Sequence, residues 1–316
     1  MKENFSFSKP LSWLPHALLL LLLGVVILAE FRYMSEARLL SDESFNFRQI
    51  TRFLNGDFSL EPEMNVIPGY HALVALVMFV TGKIGLFSAR FLSAAISTLT
   101  ILIFYLLTRV IAWRASLTKT LQFAFFPLFF PFFALVYTDV LALGLVLLAF
   151  YLILLHKYSL GGVAGLLSVL ARTNNIAWLA FLYLIVYVEN YSLDLRSLVS
   201  SLGRTWVYLL GFALFLVFLI WNGGIALANK AVQPLFKFIP GNLYFLLFLF
   251  AFLFLPLNLA NLPAILRLMR KRKWVLPLLL LVFFIYLLTF TSTHPYNRSF
   301  PDYYLRNGLL IWATSG

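Results

Sequence analysis

The sequence predicts an all-α fold: a polytopic membrane helical bundle with about nine transmembrane helices, running as one membrane-embedded domain over residues 1–316. Three observations predict it. First, 62% of the residues are hydrophobic, 18% aromatic and only 11% charged, which is more apolar surface than a soluble domain of this length can hide from water. Second, apolar runs recur along the whole chain. Third, Lys and Arg gather at the ends of those runs, so the net charge of +12 marks membrane orientation and not a nucleic-acid partner. There is no cysteine, which excludes disulfides, thiolate nucleophiles and cysteine metal sites together.

The first run, Leu14 to Phe31, has a signal peptide's hydrophobicity but no small-residue cleavage site after it, so it is expected to stay as an anchor. An outer loop of residues 32–87 follows. Inside it, Val66 to Val80 is short, opens with "IPGYH" and closes at "TGK", as an amphipathic or re-entrant interfacial helix would. Further spans are expected at Ser88 to Ile111, Leu121 to Val136, Val140 to Leu155, Leu160 to Leu170, Asn175 to Val188, Trp206 to Ile220, Leu243 to Leu262 and Trp274 to Phe290. The chain stops at "IWATSG", where another span would start, as a fragment or a variant lacking terminal helices does.

Orientation follows from the basic residues. If Val66 to Val80 does not cross, then Lys2 and Lys9, the group Arg109, Arg114 and Lys119, His156 with Lys157, Arg196 with Arg204, and "RLMRKRK" all fall on one side. The positive-inside rule requires this, and a crossing there would break it. The N-terminus is therefore expected to be cytosolic. The outer side then holds the first loop, the turn "VYTDV", the "ARTNN" break and the polar segment 293–308, "THPYNRSFPDYYLRNG".

Those outer regions carry the candidate chemistry. Asp42 and Glu43 open a segment of partial helical periodicity, and adjacent residues on a helix point in different directions, so one can face a cleft as general base while the other bonds nearby donors. Glu36, Glu61 and Glu63 read as an ordinary solvated loop. Asp139 lies between two apolar runs, where a charge is a functional hypothesis by default, and Thr138 with Asp139 also suits a helix N-cap. Arg172 either snorkels to the interface or, with Asn174 beside it, belongs to a polar pocket. His294, Tyr296, Arg298 and Arg306 mix cations with aromatics as a phosphate-and-sugar site would, and Lys230 adds charge on that face. No phosphate loop, dinucleotide fingerprint, nucleophile elbow or zinc-type histidine pair is present, and no metal or cofactor is expected.

In order, these pieces resemble one family, the α-1,2-glucosyltransferases of the DIE2/ALG10 type that add the terminal glucose to the lipid-linked oligosaccharide. The likeness rests on "DESFNFRQITRFLNGDFS", "NVIPGYHAL", "FFPLFFPFFALVYTDVLAL", "ARTNNIAW" and "WNGGIALANKAVQPLFKFIPGNLYF", with a looser echo in "THPYNRSFPDYYLRNG". The motif's Gln after Arg172 is missing, and the closing element is disrupted. The absence of cysteine and the short loops are expected of a prokaryotic or truncated relative.

The resemblance implies a GT-C architecture and inverting transfer of a hexose, glucose first among them, from a polyprenyl-phosphate donor to a glycan hydroxyl. Asp42 would then sit at the catalytic-base position with Glu43 beside it and Asp139 in the second acidic motif. The donor phosphate would meet Arg298, Arg306 and Arg172. A lipid phosphate leaves with less charge than a nucleotide diphosphate, so no metal is expected. The partners would be membrane lipid, the lipid-linked donor and the glycan acceptor. Three other readings remain: a GT-C enzyme using mannose, aminoarabinose or a protein acceptor; a lipid-linked-sugar transporter; and a noncatalytic truncated relative.

Overall fold

The computed structural model describes residues 14–40, 42–62, 64–191, 195–227 and 240–289. Regular structure among them is helical throughout: α1 (Leu14–Ser35), α2 (Glu43–Leu54), α3 (Gly69–Thr81), α4 (Leu86–Ala112), α5 (Ser116–Ala124), α6 (Thr138–Leu154), α7 (Tyr158–Ala171), α8 (Ile176–Asn190), α9 (Leu195–Asn222), α10 (Pro240–Leu253), α11 (Leu255–Lys271) and α12 (Val275–Thr289). Three described stretches are long and apolar enough to cross a membrane: Leu14–Ser35, Leu86–Ala124 and Val199–Asn222. The pair α10 and α11, bent by 91°, makes a fourth if it counts as one span. Two compact units result, Met1–Leu235 and Phe236–Gly316.

Within the first unit, a few side-chain bonds fix the direction of each helix. The end of α1 meets the start of α4, since Arg90 donates to the Met34 carbonyl, while His16 near the start of α1 bonds Tyr105 far along α4 at 2.8 Å. These two helices are antiparallel. Along α4, Ser97 bonds the Phe133 carbonyl and Thr100 lies against Gly144 of α6, so α4 and α6 run the same way. Tyr158 at the start of α7 donates to Asn190 at the end of α8, which makes α7 and α8 a hairpin. Helix α9 begins at that same end, where Arg204 reaches Asn190.

The unit therefore has two chemically different ends. Arg109, His156, Lys157 and Arg204 collect at one. Glu43, Arg90, Asp139 and Arg172 collect at the other. Helices α2 and α3 stay at this second end, called the acidic end for its carboxylates although Arg32, Arg38, Arg48 and Arg52 lie there too, and are tied by Tyr70 to Ser93 (2.7 Å) and by the Ile67 amide to Thr173 (3.1 Å).

The exterior carries many large apolar side chains. Helix α1 buries only Leu23, Ile27 and Phe31, one stripe at helical spacing, and exposes Leu18, Leu21, Leu22, Val25 and Leu28. Such a helix is solvated by lipid and not by water. One tight helix contact, between α4 and α6, is made by small residues. A Cβ on Gly144 would lie 2.3 Å from Thr100 Oγ1, so α4 and α6 meet almost backbone to backbone, as small residues permit in membrane helices.

The span expected at Leu121 to Val136 does not form as a helix. Helix α5 ends at Ala124, and the aromatic stretch beyond it holds only a short 3-10 turn, Phe130–Phe132. Pro127 and Pro131 are the reason, because each lacks an amide donor and its ring clashes with a preceding carbonyl. Phe133, Ala134, Leu135 and Val136 are buried, so the last part of this irregular backbone is covered by protein, the condition for tolerating it at membrane depth, whereas Phe125, Pro127, Leu128 and Pro131 before it are exposed. The span expected at Leu243 to Leu262 is likewise bent at Phe254, with Pro256 opening α11. In that second unit, Tyr244 and Tyr286 stack edge-on with centroids 4.6 Å apart, joining α10 to α12.

Candidate active site

The acidic end is organised by one buried ion pair. Arg90 and Glu43 are both fully buried, and Arg90 Nη2 lies 2.6 Å from Glu43 Oε2. All five guanidinium donors are used. Nε and Nη2 grip the two carboxylate oxygens, Nη1 donates to the carbonyls of Met34 and Ala37, and Nη2 also donates to Arg38 O at 3.1 Å. Arg90 thus pins Met34, Ala37 and Arg38, at the exit of α1, together with Glu43 onto α4. Glu43 is equally engaged, because Oε1 also accepts from the Val136 amide (3.1 Å) and Oε2 from the Leu40 amide (3.2 Å).

One turn further along α2, Asn46 donates to the Val136 carbonyl at 2.9 Å. Glu43 and Asn46, three residues apart and hence on one helix face, hold the amide and the carbonyl of a single residue ninety positions away in sequence. His71 completes the arrangement, its Nε2 being 2.9 Å from Asn46 Oδ1. Because Asn46 Nδ2 is already donating to a carbonyl, Oδ1 must accept, so His71 carries its proton on Nε2. Its Nδ1 is buried without a partner. Burial pushes this imidazole down to about 3, so it is neutral at physiological pH.

The clamp on Val136 also fixes the residues after it. Tyr137 is extended, its hydroxyl reaching Leu40 O at 3.5 Å, and α6 starts at Thr138 with Asp139 in its first turn. Asp139 pairs with Arg172, which is extended between α7 and a 3-10 turn at Thr173–Asn175; both side chains are about 40% exposed. Thr173 and Asn175 are buried, and Asn175 bonds the Ala142 carbonyl at 3.3 Å, while Asn174 is exposed. Asp42 stands at the N-cap of α2 with its side chain exposed and making no capping bond to the helix amides. Three acids, the neighbours Asp42 and Glu43 and the distant Asp139, thus gather at one end through the Val136 clamp.

Two cavities stand out among the described residues, and neither is lined by Asp42, Asp139 or Arg172. One, of about 420 Å³, is an apolar groove between the far end of α2 and α3, bounded by Phe53, Phe58, Ala75 and Phe79. The other lies at the basic end. Lys230, His294, Tyr296, Arg298 and Arg306 lie outside the described residues, as does Glu63.

Two expectations change. Glu61 is not part of a solvated loop. It is buried, accepts from Arg48 Nε (3.2 Å) and Arg52 Nε (3.0 Å), and its amide donates to Gln49 Oε1 at 2.7 Å. It closes the loop after α2 back onto that helix. The "ARTNN" stretch is not a break within one helix but the tip of the α7–α8 hairpin. Sequence reading passed over Arg90, Asn46 and His71. A signal for Arg90 existed, since a lone Arg in the apolar run "LFSARFLSAAIS" needs a partner; Asn46 and His71 carried none, because nothing local says which buried amide they serve.

The family model for the DIE2/ALG10 family matches residues 37–198 and 184–307 of this chain, most of its length and the whole arrangement from Arg38 to Arg172. The chain belongs to the DIE2/ALG10 family. Among its relatives, the Dol-P-Glc:Glc(2)Man(9)GlcNAc(2)-PP-Dol alpha-1,2-glucosyltransferase of Rattus norvegicus is 25% identical over 325 aligned residues, covering 83% of this chain and 68% of that protein. The protein of the same name from Homo sapiens is 23% identical over 323 residues with the same coverage. That from Candida albicans is 33% identical over 117 residues, 33% of this chain and 26% of its own. No solved structure matches the chain.

Proposed function

We propose that this DIE2/ALG10 family member is a membrane glucosyltransferase that moves glucose from a dolichyl- or other polyprenyl-phosphate donor to a hydroxyl of a lipid-linked oligosaccharide, with Asp42 as general base. Family membership, with relatives named for this transfer over 83% of the chain, supports the reaction. The observation that carries the site is the double clamp of Glu43 and Asn46 on Val136, which holds the start of α2 beside the start of α6.

Among the three acids there, Glu43 is committed on both oxygens to four donors, and Asp139 is held by Arg172. Asp42 is exposed at the start of α2, and we assign to it the meeting with an incoming sugar hydroxyl and the removal of its proton as the new bond forms. Negative charge grows on the phosphate oxygen as the anomeric bond breaks, and Arg172 at the same end is a described cation that would stabilise it, with Arg298 and Arg306 as further candidates. The donor's tail would remain among lipid-exposed helices. The acidic end would face away from the cytosol, because the basic end gathers Arg109, His156, Lys157 and Arg204.

A transporter would be expected to carry a helix unwound near the midplane, and "ARTNN", the polar stretch that could have been one, is a hairpin tip. The test is transfer by purified protein from labelled polyprenyl-phosphate glucose, with polyprenyl-phosphate mannose as the competing donor. Asp42→Asn is expected to lower turnover by about 10²–10⁴-fold, the usual contribution of a general base, and EDTA to leave it unchanged. Turnover near that of the unaltered protein in Asp42→Asn would remove Asp42 from this role.

A further inference from the structure

The second cavity has about 830 Å³ and sits at the basic end, between the start of α7, the end of α8 and the first half of α9. Its wall is formed by His156, Lys157, Tyr158, Glu189, Asn190 and Arg204. It lies at the opposite end of α7 from Arg172, so the helix's 14 residues separate it from the transfer site by about 21 Å at 1.5 Å per residue. Nothing in the glucosyl-transfer reading uses it.

Its chemistry is that of an anion receptor. Lys157 and Arg204 bring two positive charges against the single carboxylate of Glu189. Arg204 spends one N–H on Asn190 Oδ1, at 3.3 Å, leaving a guanidinium edge for a bidentate oxyanion. Ser159 and Leu160 also line the wall, and their amides precede the first intrahelical bond of α7, which Gly161 makes to the Lys157 carbonyl.

The link before α7 is strained in a way that serves the same wall. Helix α6 closes with Lys157 N donating to Leu152 O and His156 N to Ile153 O, both at 2.8 Å, the paired bonds of a Schellman turn. The residue at its left-handed position is normally glycine, yet here it is His156 at φ 58°, the one non-glycine residue with positive φ among those described. The ring is held in place: Tyr158 OH donates to Asn190 Oδ1, so it accepts from His156 Nδ1–H at 2.8 Å. A backbone outlier kept at a cavity wall points to a use for the side chain it carries.

We infer that this cavity binds a phosphate ester, held by Lys157, Arg204 and the α7 amides, with His156 forming part of its wall. On the membrane orientation given under the proposed function, its source is the headgroup of an anionic lipid in the cytosolic leaflet. The inference rests on that orientation but not on the identity of the catalytic base, and its readout is binding, so it can fail while the transfer reading stands.

The experiment uses the full chain in phosphatidylcholine nanodiscs with and without a minor fraction of phosphatidic acid, scoring retained lipid by native mass spectrometry and thermal midpoint in parallel. Inorganic phosphate titrated in the phosphatidylcholine discs forms the second arm. Retained phosphatidic acid should fall about thirtyfold in Lys157→Gln/Arg204→Gln, about a factor of five per charge, and rise in Glu189→Gln. His156→Gly should weaken retention while leaving the thermal midpoint equal or higher, because glycine relieves the left-handed position; a structural role alone would not separate the two. Retention specific to the lipid assigns the headgroup as source. A midpoint shift by inorganic phosphate that the double variant abolishes assigns a soluble phosphate instead. The proposal is overturned if the double variant matches the unaltered protein in both arms, or if His156→Gly leaves retention unchanged.

Discussion

Arg90→Leu tests the organising role of the acidic end most directly. The substitution removes all five guanidinium hydrogen bonds and leaves the carboxylate of Glu43 fully buried, facing only the amides of Val136 and Leu40. Breaking one side of a buried ion pair costs about 3–5 kcal/mol, because the abandoned charge has neither its partner nor water. At about 2–4 °C per kcal/mol for a domain of this size, the thermal midpoint of the detergent-solubilised protein should fall by roughly 10 °C. The companion variant Arg90→Leu/Glu43→Leu removes both charges and should recover part of that loss, although the Val136 amide then lacks its acceptor. A double-mutant cycle in thermal unfolding separates the two outcomes. A single variant within a degree or two of the unaltered protein, or a double variant as unstable as the sum of both singles, would refute a compensated buried pair.

Two more outcomes are expected in the same region. A Cβ on Gly69 would lie 2.5 Å from the Leu170 carbonyl oxygen, a backbone atom that cannot swing aside, so Gly69→Ala should separate α3 from α7 at a cost of about 1–3 kcal/mol and disturb Arg172 two residues on. Lower thermal stability together with reduced transfer would bear this out. His71 is held neutral, with a folded-state value of about 3 against an ordinary 6.5. Its contribution to stability is therefore complete above pH 6.5 and lost as pH falls towards 3, since the unfolded chain binds the proton more readily across that window. In His71→Gln, whose amide can still donate to Asn46, the decline in thermal midpoint between pH 7 and 4 should be shallower than in the unaltered protein.

The membrane class, the positions of most helices and the confinement of Val66 to Val80 to one end were legible in the sequence, because each depends on local apolar length and on where Lys and Arg fall. The prolines at 127 and 131 were equally visible, yet the run Leu121 to Val136 passed for a span on composition alone, since hydropathy counts side chains and ignores the missing amides. The candidate site was legible only in part. Asp42, Asp139 and Arg172 stood out as charges in apolar company, whereas Glu61 looked like an ordinary loop acid although Arg48 and Arg52 enclose it.

By itself, then, the sequence determined which segments seek lipid, which end of each carries positive charge, and the ordered set of motifs that mark the family. Only the tertiary structure decided that Glu43 is buried and committed to Arg90 and Val136 while its neighbour Asp42 is exposed, and that a second, basic cavity lies at the far end of α7. The physical reason is one of range. Apolar burial and charge sidedness are additive along the chain, but the fate of a buried carboxylate depends on donors that folding brings from about fifty to ninety residues away, and local sequence holds no record of them.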